Sequence, residues 1–152
     1  MKRALASIAM MTAAISAQAE TLGAVNSAWS LVKDHQIIID VFDDPMVNGV
    51  TCYISRAKTG GVLGAVGLAE DKADASVACR QISEISFKGP IPRQEDVFTQ
   101  KTSPLFKQLH VIRVVDQGRK TLVYMVYSDR LIDGSPKNSV TAVPVGVAIP
   151  MK

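Results

Sequence analysis

The chain has 152 residues, 47% of them hydrophobic and 20% charged, which is the composition of a globular domain long enough to bury a core without metal or multiple disulfides. Setting Lys2 and Arg3 apart as part of a leader reduces the 17 basic residues to 15 against 14 acidic, so the formal net charge falls from +3 to +1 and no nucleic-acid footprint remains. Aromatic residues, at 5%, are too few to suggest a stacking platform for bases or sugars.

Met1 to Ala19 has the three parts of a secretory signal: the charged start Lys2-Arg3, the uncharged run Ala4 to Ser16, and the small-residue cleavage site Ala17-Gln18-Ala19. The run is shorter than the roughly 20 residues a spanning helix needs, and no cysteine follows it to carry a lipid. The expectation is a cleaved leader over 1–19, one exported domain over 20–152, and no membrane anchor after cleavage.

Within the mature chain, Val25, Trp29 and Val32 are spaced for one side of a short helix or an irregular start. Gln36 to Phe42 is β-branched and aromatic and reads as a strand, ended by Asp43-Asp44-Pro45. Asn48-Gly49 suits the reversal into a second strand over Val50 to Ser55. Glu70-Asp71-Lys72 then opens a predicted helix in which Ala75, Ala78, Cys79 and Ile82 form one buried stripe, with Asp71 or Asp74 near its start.

Short strands are predicted over Ser83 to Phe87 and Glu95 to Thr102. The strongest β signal is Leu105 to Val115, a turn over Asp116 to Lys120, and Thr121 to Ser128, both strands belonging in the middle of a sheet. Ser139 to Ile149 contains Pro144 and Gly146 and reads as an edge strand or docking tail. The predicted fold is α+β: a mostly antiparallel sheet, one or two short helices, and a disulfide from a strand to a helix.

The two cysteines, Cys52 and Cys79, are 27 residues apart, and export makes a structural disulfide the expected state. They bracket the run Lys58-Thr59-Gly60-Gly61-Val62-Leu63-Gly64-Ala65-Val66-Gly67. Glycines let backbone N–H groups approach an anion that a lysine can neutralise. The order fits neither a nucleotide P-loop, in which lysine follows the glycines, nor the dinucleotide fingerprint. A close-packed turn is the plain alternative, and an exposed run would instead present Val62, Leu63, Val66 and Leu68 to a partner.

Asp40, Asp43 and Asp44 lack the spacing of a calcium loop, and His35 and His110 do not make a metal triad; no metal or cofactor is expected. Without a second convergent histidine or a G-x-S-x-G motif there is no Ser-His-Asp triad to assemble. Arg113, inside an apolar strand, requires a carboxylate or a ligand anion, and Asp129 on the facing strand is one candidate partner. The polar turn Asp133-Gly134-Ser135-Pro136-Lys137-Asn138 adds Lys137 and Asn138 as candidates.

Four stretches together resemble the CreA family: Phe42-Asp43-Asp44-Pro45, Val50-Thr51-Cys52-Tyr53-Ile54-Ser55-Arg56-Ala57-Lys58-Thr59-Gly60-Gly61, Gly67-Leu68-Ala69-Glu70-Asp71, and Tyr127-Ser128-Asp129 with Gly134-Ser135-Pro136-Lys137-Asn138. The resemblance implies a small exported protein of Gram-negative bacteria, hence the periplasm, and carries over no catalytic or ligand-binding residue.

The functional expectation is a non-enzymatic periplasmic protein that binds a small polar or anionic ligand, or an envelope protein. Its candidate site residues are Arg56, Lys58, Thr59, Gly60, Gly61, Arg113, Lys137 and Asn138. The alternatives are a hydrolase using carboxylates such as Asp43 or Asp129, and a purely structural interaction module.

Overall fold

The computed structural model describes residues 18–28, 35–59, 74–102, 108–129 and 137–152. Eight strands run in chain order: β1 (Glu20–Ala28), β2 (His35–Asp43), β3 (Val47–Thr59), β4 (Ala75–Phe87), β5 (Gln94–Lys101), β6 (Gln108–Asp116), β7 (Thr121–Ser128) and β8 (Asn138–Pro144). They form two four-stranded antiparallel sheets, β1-β2-β3-β4 and β5-β6-β7-β8. Within each sheet every strand pairs with its neighbour in sequence, the arrangement that short connections favour, and the chain passes from one sheet to the other between β4 and β5.

Strict alternation makes β6 and β7 the clearest elements. Leu109, Val111, Arg113 and Val115 are buried on one face of β6, and Leu122, Tyr124, Val126 and Ser128 on the matching face of β7. These are the two central strands of the second sheet, as their apolar character predicts. β8 is an edge strand, also as predicted. The inward faces of both sheets share one core, across which the Phe42 ring of β2 stacks on Phe98 of β5 with centroids 4.5 Å apart. At the opposite side, Val77 N on β4 donates to Ser139 Oγ on β8 at 2.8 Å.

The expected α+β class is overturned. The architecture is all-β among the described residues, and Cys79 lies on a strand, not on a helix. The i, i+3, i+4, i+7 spacing of Ala75, Ala78, Cys79 and Ile82 is coincidental. Val77 and Cys79 are buried by strand alternation, whereas Ile82, which the helix would bury, is 61% exposed. Pairing with β3 from Arg56↔Ala75 to Val50↔Gln81 supplies a continuous hydrogen-bond ladder that local periodicity does not reveal. Cys52 and Cys79 are direct cross-strand partners, with Cα atoms 4.0 Å apart and an S–S bond of 2.02 Å. The expected disulfide therefore forms, but from strand to strand.

Beyond Gln81, β4 bulges, and pairing resumes only at Asn48↔Ser86. Gly49 sits opposite this bulge with φ +83°, and a Cβ there would meet the Glu84 carbonyl oxygen at 2.5 Å. Only glycine fits both the backbone angle and the space. A second bulge, in β5 between Asp96 and Phe98, buries Val97 and Phe98 in succession and turns Asp96 to the outer face.

The β6–β7 hairpin turns over Gln117 to Lys120. Hydrogen bonds from the Arg119 side chain and backbone hold the Asp116 carboxyl below its ordinary pKa. The stretch Glu20 to Ala28, expected as a helix or irregular start, is a strand, while Trp29 and Val32 lie outside the described residues. So do most of the expected leader, residues 60–73 with the glycine run and the expected helix start, and 130–136 with most of the polar turn.

Candidate functional site

Asp44 closes β2 and organises the interior around itself. Its Oδ1 accepts the backbone N–H groups of Met46 and Val47 at 2.8 and 3.0 Å, an Asx turn that leads into β3. From the facing sheet, Arg113 Nη1 donates to both carboxylate oxygens at 2.6 and 2.7 Å, and the Tyr124 hydroxyl donates to Oδ2 at 2.8 Å. Burial first, and then the Asp44 charge, pushes the Tyr124 phenol far above its ordinary pKa. The other end of the guanidinium, Nη2, donates to Glu95 Oε2 at 2.6 Å. Arg113 is thus paired as predicted, but with Asp44 and Glu95 rather than Asp129. Asp129 follows β7 on the rim of the outer face and holds His110 instead.

Glu95 lies at the edge of the second sheet, where one side of its carboxylate faces Arg113 and its side chain is partly open to solvent. It opens onto a trough of 440 Å³ on the outer face, lined by Gln94, Glu95, Asp96, Ile112, Met125, Tyr127 and Asn138. That volume is within the range of small-molecule sites. Strand register explains the lining. Asp96 pairs with Ile112, Ile112 with Met125 and Met125 with Val140, giving one row across four strands. Thr99, His110, Tyr127 and Asn138 form the adjacent row by the same pairings.

The second row is braced. His110 stacks on Tyr127 with centroids 5.0 Å apart, and its Nε2 is 3.0 Å from Asp129 Oδ2. Its Nδ1 is 3.4 Å from Thr99 Oγ1 and 3.8 Å from Asp96 Oδ2. Desolvation, then the charges of Asp96 and Asp129, raise the Tyr127 phenol above its ordinary pKa, so the hydroxyl stays protonated and available as a donor. The arrangement offers an apolar floor, a polar side wall and carboxylates at one end.

The residues expected to form a site are dispersed. Arg56 and Lys58 are on β3 in the first sheet. Arg56 Nε is 2.7 Å from the fully buried Asp40, which also accepts the Thr21 hydroxyl at 2.7 Å. Lys58 is exposed, Thr59 ends β3, and Gly60 and Gly61 lie outside the described residues. Lys137 forms an exposed ion pair with Asp74 at 2.6 Å. Only Asn138 lines the trough, and Arg113 touches it indirectly through Glu95. Asp40, Asp43 and Asp44 diverge: Asp43 accepts from the Thr51 hydroxyl, while the other two carry the partners above.

The sequence weighs His110 only as a metal ligand or triad base and sets it aside, and it singles out none of Tyr127, Met125, Ile112 and Asp96 as site residues. The hairpin register set by the Gln117 to Lys120 turn would have placed the first four on one face. Asp96 depends on the β5 bulge and has no comparable signal.

Three curated relatives, each called Protein CreA and belonging to Escherichia coli strains K12, O6:H1 and O157:H7, are 43% identical over 149 residues, covering 95% of this chain and 95% of theirs. No solved structure matches the chain. The family model described as CreA protein matches residues 22–148, and with that match and the 43% identity to relatives aligned over nearly their full length the chain belongs to the CreA family.

Proposed function

We propose that this protein is a non-enzymatic binding protein of the periplasm whose ligand site is the trough on the outer face of the second sheet. The observation that carries the reading is the trough itself: Ile112 and Met125 form an apolar floor beside Glu95, Asp96, Tyr127 and Asn138. A small ligand gains from burial of apolar surface there and is oriented by the polar groups around it. Export is supported by the disulfide, which persists in oxidising compartments, and by β1 opening at Glu20, the residue that would follow the cleavage site.

The ion pairs weigh against an anion site on β3. An anion at Arg56 would have to displace the buried Asp40 carboxylate, leaving a charge without its partner. Lys58 alone is an exposed point charge.

The test is a thermal-shift screen of the disulfide-bonded protein against envelope metabolites, repeated with two variants. Ligands that raise the midpoint of the native protein should do so equally in Arg56→Ala/Lys58→Ala and should lose the effect in Met125→Trp, which fills the trough from an outward position. The opposite pattern would move the site to β3.

A hydrolase is the second reading, favoured by the His110–Asp129 pair at the trough rim, in which a carboxylate orients an imidazole. The Thr99 hydroxyl at 3.4 Å from His110 Nδ1 is longer than the bond between a working nucleophile and its base. Binding therefore takes precedence. Ester hydrolysis by the native protein that His110→Gln abolishes would reverse that order.

A further inference from the structure

We infer that the trough selects an amphiphilic cation, a ligand with an ammonium or guanidinium head and an apolar body. This rests on the trough being the ligand site and adds the chemical class. The head would lie against Asp96 and Glu95, and the body would run over Ile112 and Met125 toward Val140.

The row Asp96–Ile112–Met125–Val140 supplies the geometry. Its members are cross-strand partners on β5, β6, β7 and β8. Neighbouring strands are about 4.8 Å apart, so the row spans about 14 Å from carboxylate to terminal valine. Polarity along it is one-directional: the Asp96 side chain is 50% exposed at the first strand, and three apolar side chains follow. Val140, at the far end, is 64% exposed, a large apolar side chain that a bound body would cover. A ligand apolar at both ends would set an apolar group against the Asp96 carboxylate, and a symmetric polar ligand would leave Val140 in water.

The sign of the head follows from the charges that face the trough. Glu95 and Asp96 line it, Asp129 stands behind His110, and none of the lining residues is basic. Arg113 approaches from the interior, but its charge is shared between Asp44 and Glu95. Burial is the first cause of the raised Tyr127 phenol, and the Asp96 and Asp129 charges add to it. A carboxylate or phosphate head would be repelled at this end. A cation can pair with Asp96, whose nearest ionic contact is His110 at 3.8 Å, and can also face the Tyr127 ring.

Isothermal calorimetry with three probes of one shape separates the class from the site: 4-phenylbutylammonium, 4-phenylbutanol and 4-phenylbutyrate, each titrated into the disulfide-bonded protein. The ammonium should bind about tenfold or more tighter than the carboxylate, with the alcohol between them. Asp96→Asn should weaken the ammonium about three- to tenfold and leave the alcohol unchanged. Met125→Trp should abolish binding of all three.

If the carboxylate binds as tightly as the ammonium and Met125→Trp removes both, the cationic class is wrong and the trough stands. If no probe binds, or if binding survives Met125→Trp, the class and the trough site both fall.

Discussion

Arg113 and Asp44 join the two sheets through the core: one guanidinium nitrogen of Arg113 on β6 reaches both carboxylate oxygens of Asp44, in the turn between β2 and β3. Both side chains are fully buried. Removing one partner strands the other's charge, so Asp44→Ala should lower unfolding free energy by about 3–5 kcal/mol. The double variant Asp44→Leu/Arg113→Met should lose less than the two single losses added together, because neither charge then remains unpaired. Urea denaturation of the wild type, Asp44→Leu, Arg113→Met and the double variant measures the coupling.

The same cluster sets an alkaline limit. Tyr124 stays protonated in the folded chain, whereas in the unfolded chain it ionises around its ordinary value of 10.0. Above that pH the folded state binds more protons than the unfolded one, so stability is fully present below it and falls as pH rises, by about 1.4 kcal/mol per pH unit from this group. Tyr124→Phe should be less stable at neutral pH, having lost its bond to Asp44, but should show a shallower decline above pH 10. Denaturation midpoints across the alkaline range test both parts.

Cys52 and Cys79 close a loop of 27 residues between paired strands. Their replacement by alanine should cost about 3–4 kcal/mol in the chain-entropy account. Binding in the trough, which lies on the other sheet, should be unchanged at temperatures where the variant remains folded. Wild-type protein held reduced, without alkylation, should lose stability in the same direction and keep its binding in the trough.

Gly49→Ala should be destabilised by about 1–3 kcal/mol, since its backbone is left-handed and the added Cβ would press on the Glu84 carbonyl oxygen. Gly23→Ala is the control, because nothing lies within 4 Å of a Cβ built there. A loss at Gly23 equal to that at Gly49 would remove the steric explanation.

Strand positions were legible wherever burial alternates. The β6–β7 hairpin follows from Leu109, Val111, Val115, Leu122 and Val126, and β2 from its β-branched run. Cys79 shows what local pattern does not carry. Its neighbours fit a helical stripe as well as a strand, and the ladder to β3 that decides between them is formed by residues more than 20 positions away. The candidate site was less legible for a related reason. Cationic residues in a sequence suggest anion ligands, but Arg56, Arg113 and Lys137 are answered by Asp40, Asp44 with Glu95, and Asp74, contacts of long sequence separation. The outer-face row exists only once four strands are in register.

The location of bound ligand tests the central claim most directly. In NMR spectra of the disulfide-bonded protein saturated with 4-phenylbutylammonium, the largest shift changes should fall on Asp96, Ile112, Met125, Tyr127 and Asn138. Changes concentrated instead on Arg56, Lys58 and the neighbouring residues of β2 would contradict it.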